Sequence, residues 1–142
     1  MIRRVATLCV LSVGVCALVP HAVVAHHSAS MYDASKPTTL TGRVKQFRWV
    51  SPHAVIILTT EAEAGRESRD WLIEMSSPGN MTHLGWTHSS LKAGQRVTVA
   101  VSPMRDGTPG GACRTVTFVD EGKTMNCGLG ASILAAEKPN IR

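Results

Sequence analysis

None of the short signatures that carry hydrolytic, nucleotide or haem chemistry occurs in the 142-residue chain: G-x-S-x-G, H-E-x-x-H, a phosphate-cradling P-loop and C-x-x-C-H are all absent. No nucleophile stands in a recognisable catalytic setting, so binding is favoured over catalysis. Cysteine is scarce, with four in all and no C-x-x-C pair of the kind zinc and redox sites favour. Charged residues make up only 18% of the chain, and the formal net charge of +5 is too low and too scattered to argue for nucleic acid. No apolar run reaches the roughly 20 residues a membrane span needs.

The one apolar run, residues 5–19, follows Arg3 and Arg4, carries no charge and stops at Pro20, with Val23, Val24 and Ala25 as small and apolar residues before His26. These are the three parts of a cleavable secretory leader. Residues 1–25 are therefore expected to be a signal peptide, which places the mature protein in the periplasm or outside a bacterial cell, with no stable membrane anchor and no nucleic-acid partner. A lipid anchor on Cys16 is disfavoured because Val15 is bulkier than the residue such a site takes. Cleavage removes Arg3 and Arg4 and lowers the net charge by two, leaving one mildly basic chain of single-domain size. Cys9 and Cys16 leave with the leader. The remaining even pair, Cys113 and Cys127, is expected to form a disulfide in an oxidising compartment; two thiolates holding a soft metal are the alternative.

The mature chain reads as β-rich. Residues 38–50 alternate, with Leu40, Gly42 and Val44 on one face, until Phe47 and Trp49 shift the parity and imply a bulge or bend near Gln46. Ser51, Pro52 and His53 form a turn, residues 54–62 a strand apolar on both faces, and residues 69–77 a strand with Trp71, Ile73 and Met75 opposite Leu72 and Glu74. Ser77 followed by Pro78 predicts a helix N-cap with proline at the first helical position, opening a helix of about two turns. A turn at Ala93 and Gly94 leads into a strand with Val97, Val99 and Val101 on one face. The segment from Arg105 to Gly111 reads as a loop. A further strand, a tight turn at Glu121 and Gly122, and a short return strand between the cysteines follow.

Five strands with one short helix between the third and fourth is the order of an OB-type barrel, so the fold expected is a mainly β, small five-stranded Greek-key barrel that hides its sheet edges by closure. The organisation is a leader (1–25), an N-terminal arm (26–37), the barrel (38–130) and a loosely ordered tail (131–142).

Several segments together, His-His-Ser at 26–28, Tyr-Asp at 32–33, "TLTGRV", "FRWVSPHA", "WLIE" and "LGWTHSSLKAG", resemble the small secreted bacterial family catalogued as domain of unknown function 6152. The resemblance covers roughly residues 26–110 and rests most clearly on His26, His27, Trp49, Pro52, His53, Trp71, Glu74, Trp86 and Gly94. Ser51 stands where the family pattern has asparagine, and the Cys113 and Cys127 loop is not a general family feature. The resemblance implies a fold and candidate positions but no activity.

The chemistry must therefore come from the residues. A chain beginning at His26 presents its α-amine beside an imidazole, a grip like the histidine brace of some secreted copper proteins. Nitrogen donors suit Cu(II) first, and Zn(II) or Ni(II) less selectively. His53, at the turn between the first two strands, is the preferred second imidazole, with His27 competing, although adjacent residues of an extended segment point to opposite sides. Glu74 is a candidate oxygen ligand or an acceptor that holds an imidazole in one tautomer. The plainer readings make His26 and His27 polar residues of an arm, His53 a turn residue bonded to backbone, His83 and His88 surface residues near a helix end, and Glu74 a cross-sheet partner of Arg43 or Lys45. Trp49, Trp71 and Trp86 are expected in the core. Two functions compete: an exported copper carrier or buffer using His26, His53 and either His27 or Glu74, and a metal-free OB-type module that binds a peptide, glycan or envelope protein. Copper-dependent oxidation is a remote third, carried only by the brace-like start.

Overall fold

A computed structural model describes residues 29–63, 65 and 67–129. The expected leader, His26, His27 and the expected tail lie outside the described residues.

Six strands and one helix follow a single turn of 3-10 helix, Ala29–Met31: β1 (Thr38–Arg48), β2 (Val55–Thr60), β3 (Asp70–Glu74), α1 (Pro78–His83), β4 (Arg96–Pro103), β5 (Gly110–Phe118) and β6 (Lys123–Asn126). β1 is long enough to serve two neighbours. Its first half, Thr38 to Arg43, pairs with β4, and its second half, Gly42 to Arg48, pairs with β2. Gly42 lies where the two pairings overlap, and a Cβ there would collide with the Thr59 carbonyl, so only glycine lets the sheet curl this tightly.

The order β3-β2-β1-β4-β5 closes on itself through a parallel β3–β5 pairing, giving the five-stranded barrel with β6 as a hairpin extension of β5. The seam runs through Gly110 and Gly111, opposite Leu72 and Ile73. The sequence reading placed these glycines in a loop; they instead open β5. At the seam the missing side chain of Gly110 allows the approach, since a Cβ there would stand 3.2 Å from the Leu72 carbonyl, while Gly111 makes room on the β4 side, where a Cβ would stand 2.7 Å from the Ser102 carbonyl.

Two bulges set which side chains face inward. Register slips between Val44 and Gln46, leaving Lys45 and Gln46 both exposed and returning Phe47 toward the core. This is the parity shift expected near Gln46. A second slip in β5 leaves Arg114 unpaired between Cys113 and Thr115, so Cys113 and Val116 both point inward.

The core holds Ile56, Leu58, Ile73, Met75, Val97, Val99, Val101 and Val116, all fully buried. The short helix closes one part of it: Ser77 accepts a hydrogen bond from the Asn80 amide at 3.3 Å, Pro78 starts the helix, and Met81 is fully buried. Trp86 is also fully buried, between Phe47 and Phe118, and its indole donates to the Asn126 carbonyl at 2.8 Å. Trp71 is buried as expected, while Trp49 is only half-buried against the edge of the core. The Cys113 and Cys127 sulfurs are at bonding distance, with Cα atoms 5.6 Å apart and both side chains fully buried, which ties the β6 end to β5.

Candidate functional site

The turn after β1 is held down by a pair of backbone bonds, from the Ala54 amide to the Ser76 carbonyl at 3.1 Å and from the Met75 amide to the Ala54 carbonyl at 2.8 Å. These extend the β2–β3 ladder by one step and bring His53 to the end of β3. There His53 Nδ1 lies 3.1 Å from the Met75 carbonyl oxygen. A carbonyl only accepts, so Nδ1 carries the proton and the lone pair of the neutral ring is on Nε2. That atom faces Glu74, 3.5 Å from Oε1.

Glu74 is the last residue of β3 and stands opposite Val55 on the outer face of the barrel. Its side chain is nonetheless only 15% exposed, against 36% for His53. The cover comes from the N-terminal arm. Tyr32 forms an antiparallel bridge with Met104, the Asp33 amide donates to the Pro103 carbonyl at 2.8 Å, and the Arg105 amide donates to the Met31 carbonyl at 2.9 Å. The arm thus continues the pairing beyond the end of β4. The Tyr32 ring packs with Ala34 and Ala112 in a small second cluster that Met31, Met104 and Leu129 flank.

The Tyr32 hydroxyl reaches Glu74 Oε2 at 2.6 Å. This is the length of a charge-assisted O–H···O⁻ bond. Burial, and then the bond to the Glu74 carboxylate, push the Tyr32 phenol well above its ordinary range, so it stays a donor. Behind it, Asp33 accepts from the Ser35 hydroxyl at 2.6 Å and faces Arg105 at 3.7 Å. The Ser35 bonds, with Arg105 and Lys36 adding to them, hold the Asp33 carboxyl below the usual carboxylate range.

Of the four expected metal ligands, His53 and Glu74 are brought together, and His26 and His27 lie outside the described residues. Among the described residues no group of three or more His, Cys, Asp or Glu side chains converges. The expected partners of Glu74 are corrected. Lys45 pairs with Asp70, and Arg43 donates to the Gly94 carbonyl at 3.0 Å, because the register sets both cations in line with the Asp70 end of β3 and puts Arg48 level with Glu74. His53 also makes the backbone contact expected of a turn histidine. His83 and His88 are both exposed. The residue that sequence reasoning left without a role is Tyr32, the only tyrosine of the chain. Its signal was its place in the Tyr-Asp pair of the family pattern, on an arm that otherwise reads as polar.

Away from this pair, a cleft of about 540 Å³ opens beside the start of β1 and the β2–β3 turn, with Thr39, Thr41, Glu61, Glu67, Arg69 and Trp71 among its walls. Glu61 is held by Arg96 through two hydrogen bonds, 2.7 and 2.8 Å, and Arg69 lies over the Trp71 ring at 5.4 Å.

No protein of established function matches the sequence. Among solved structures, a mitochondrial single-stranded DNA binding protein from S. cerevisiae, Rim1, is similar at 10% identity and a TM-score of 0.45, over 59% of this chain and 93% of that one. A family of unknown function matches residues 14–114, which include the arm, His53, Glu74 and the barrel through the first part of β5. By that match over most of its length, the chain belongs to the family of unknown function DUF6152.

Proposed function

We propose that the protein is an exported metal-binding protein, a carrier or buffer for a transition metal with copper favoured, in which His53 and the N-terminal His26 supply nitrogen and Glu74 supplies oxygen. The observation that carries this reading is the bond from Tyr32 to Glu74, which fastens the N-terminal arm to that carboxylate, with His53 Nε2 3.5 Å from its other oxygen. Tyr32 follows His26 by six residues, a span of at most about 22 Å when extended. Cleavage after Ala25 would free the His26 amine, and amine plus two imidazoles is a donor set that copper prefers over other divalent ions.

The test is a copper titration of the protein recovered after export with its own leader, beside a version carrying one extra residue ahead of His26. Tight binding by the first and loss of it in the second supports the reading, as does weakened binding in His53→Ala. Equal affinity across all three overturns it.

The cleft beside the β2–β3 turn favours a second reading, a metal-free module that takes a glycan or peptide of the envelope among its threonines and carboxylates. Substitution of Thr41 or Arg69 would then impair capture of that partner, and His53→Ala would not.

A further inference from the structure

Strands β1 and β2 diverge at Gly42. Their register ends with the Gly42 and Thr60 pair, and one further bond, from the Glu61 amide to the Thr41 carbonyl at 2.9 Å, extends it. From there the β2 end stays with β3, the Thr60 amide donating to the Arg69 carbonyl at 3.0 Å, while β1 continues back to Thr38 beside β4. The cleft of about 540 Å³ opens in this fork. Backbone groups of a strand alternate sides, so the Thr39 N–H and C=O point the same way as the Thr41 carbonyl, away from β4 and into the fork. Among the described residues nothing pairs with them.

The walls have two characters. Leu40 and Trp71 belong to the barrel core and also line the cleft, which gives it an apolar floor. Among the described wall residues Glu61, Glu63 and Glu67 stand against one cation, Arg69, on a chain whose net charge is +5. Glu61 is matched by Arg96 from outside the cleft, which leaves Glu63 and Glu67, both exposed, as its acidic wall. Arg69 lies over the Trp71 ring at 5.4 Å and that side chain is otherwise buried, so a sugar finds no open aromatic face to stack on.

Resting on the second reading above, and independent of any metal, we infer that the cleft is a strand-addition site for an extended peptide segment of a partner protein in which apolar residues alternate with lysine or arginine. The segment lies along β1 in the fork and exchanges main-chain hydrogen bonds with Thr39. Its apolar side chains turn inward onto Leu40 and Trp71, and its basic ones turn outward to Glu63 and Glu67. The alternation is what a pleated strand presents, and an unpaired sheet edge is a template for one.

The probe is the capped peptide Val-Lys-Val-Lys-Val, titrated into the full chain and followed by amide hydrogen exchange. The Thr39 amide is expected to exchange readily without peptide and to gain protection with it, while the Leu40 amide, which faces β4, is unchanged. Thr39→Pro deletes an N–H that faces the fork and none that faces β4, so the barrel is retained and affinity should fall about 5-fold, the worth of one main-chain bond. Val-Glu-Val-Glu-Val should bind more weakly than the lysine peptide, and equal affinity would overturn the choice of a basic partner. Binding that leaves the Thr39 amide unprotected would overturn strand addition while a peptide module stood. Binding of chitotetraose in place of the peptide would overturn the inference and keep the glycan half of the second reading. If neither probe binds at millimolar concentration, the inference and the second reading fall together.

Discussion

Replacing Tyr32 with phenylalanine should cost far more than one surface hydroxyl normally would. The bond it removes is 2.6 Å long and ends on the carboxylate of Glu74, whose side chain is only 15% exposed. A hydrogen bond to a charged group contributes about 1.5–3 kcal/mol. The partial exposure of Glu74 lets water replace some of the lost bond, so a value of about 2 kcal/mol follows. For a domain of roughly 100 residues that lowers the melting temperature by about 8–16 °C. Alkaline titration reads the same contact without a mutation, because Tyr32 is the only tyrosine and its phenolate absorbance reports one group. Burial first, and the bond to Glu74 second, raise its folded-state pKa above the unfolded value of about 10. Stability from this group is therefore fully present below pH about 10 and is lost as pH rises toward the folded-state value. Phenolate absorbance should appear only with unfolding, and Glu74→Gln should move its onset to lower pH. A phenol that ionises reversibly near pH 10 in the folded chain, or a Tyr32→Phe cost below about 0.5 kcal/mol, would refute the account of how the arm is held.

Three further outcomes follow from the same structure. Reducing the Cys113–Cys127 link, separated by 14 positions, should destabilise the fold by about 3 kcal/mol by releasing loop entropy in the unfolded chain, read as a lower urea midpoint with reductant present. Gly42→Ala drives a methyl into the Thr59 carbonyl where β1 serves both neighbours, and should cost at least about 2 kcal/mol in chemical denaturation; a neutral result would mean that β1 has room to shift. The Asp33 carboxyl is held low chiefly by Ser35, so its contribution is present above the ordinary carboxylate pKa and disappears as pH falls through its lowered value. Protection of the Asp33 amide, bonded to Pro103, should then fall relative to the barrel strands in acid, and Asp33→Asn should show the same low protection already at neutral pH.

Most of the barrel was legible because burial imposes a period of two on a strand. Leu40, Gly42 and Val44, then Val97, Val99 and Val101, mark inward faces in the sequence and are inward in the fold. The displaced parity of Phe47 announced the bulge, and Ser77 with Pro78 announced the helix start. Gly110 and Gly111 misled for a physical reason: locally they read as turn formers, and their strand conformation comes from long-range pairing with β3 on one side and the end of β4 on the other. The error over the partners of Glu74 has the same origin. The sequence shows that Arg43, Lys45 and Glu74 lie on strands, but not the register that sets both cations at the Asp70 end of β3, away from Glu74.

Local chemistry in the sequence therefore determined most of the elements and their inward faces. Tertiary structure alone decided that Tyr32, 42 positions from Glu74, would share its carboxylate, and that the turn carrying His53 would fold onto the end of β3. Such meetings depend on which strands become neighbours when the sheet closes, a choice made by the packing of the whole core, which no short stretch of sequence contains.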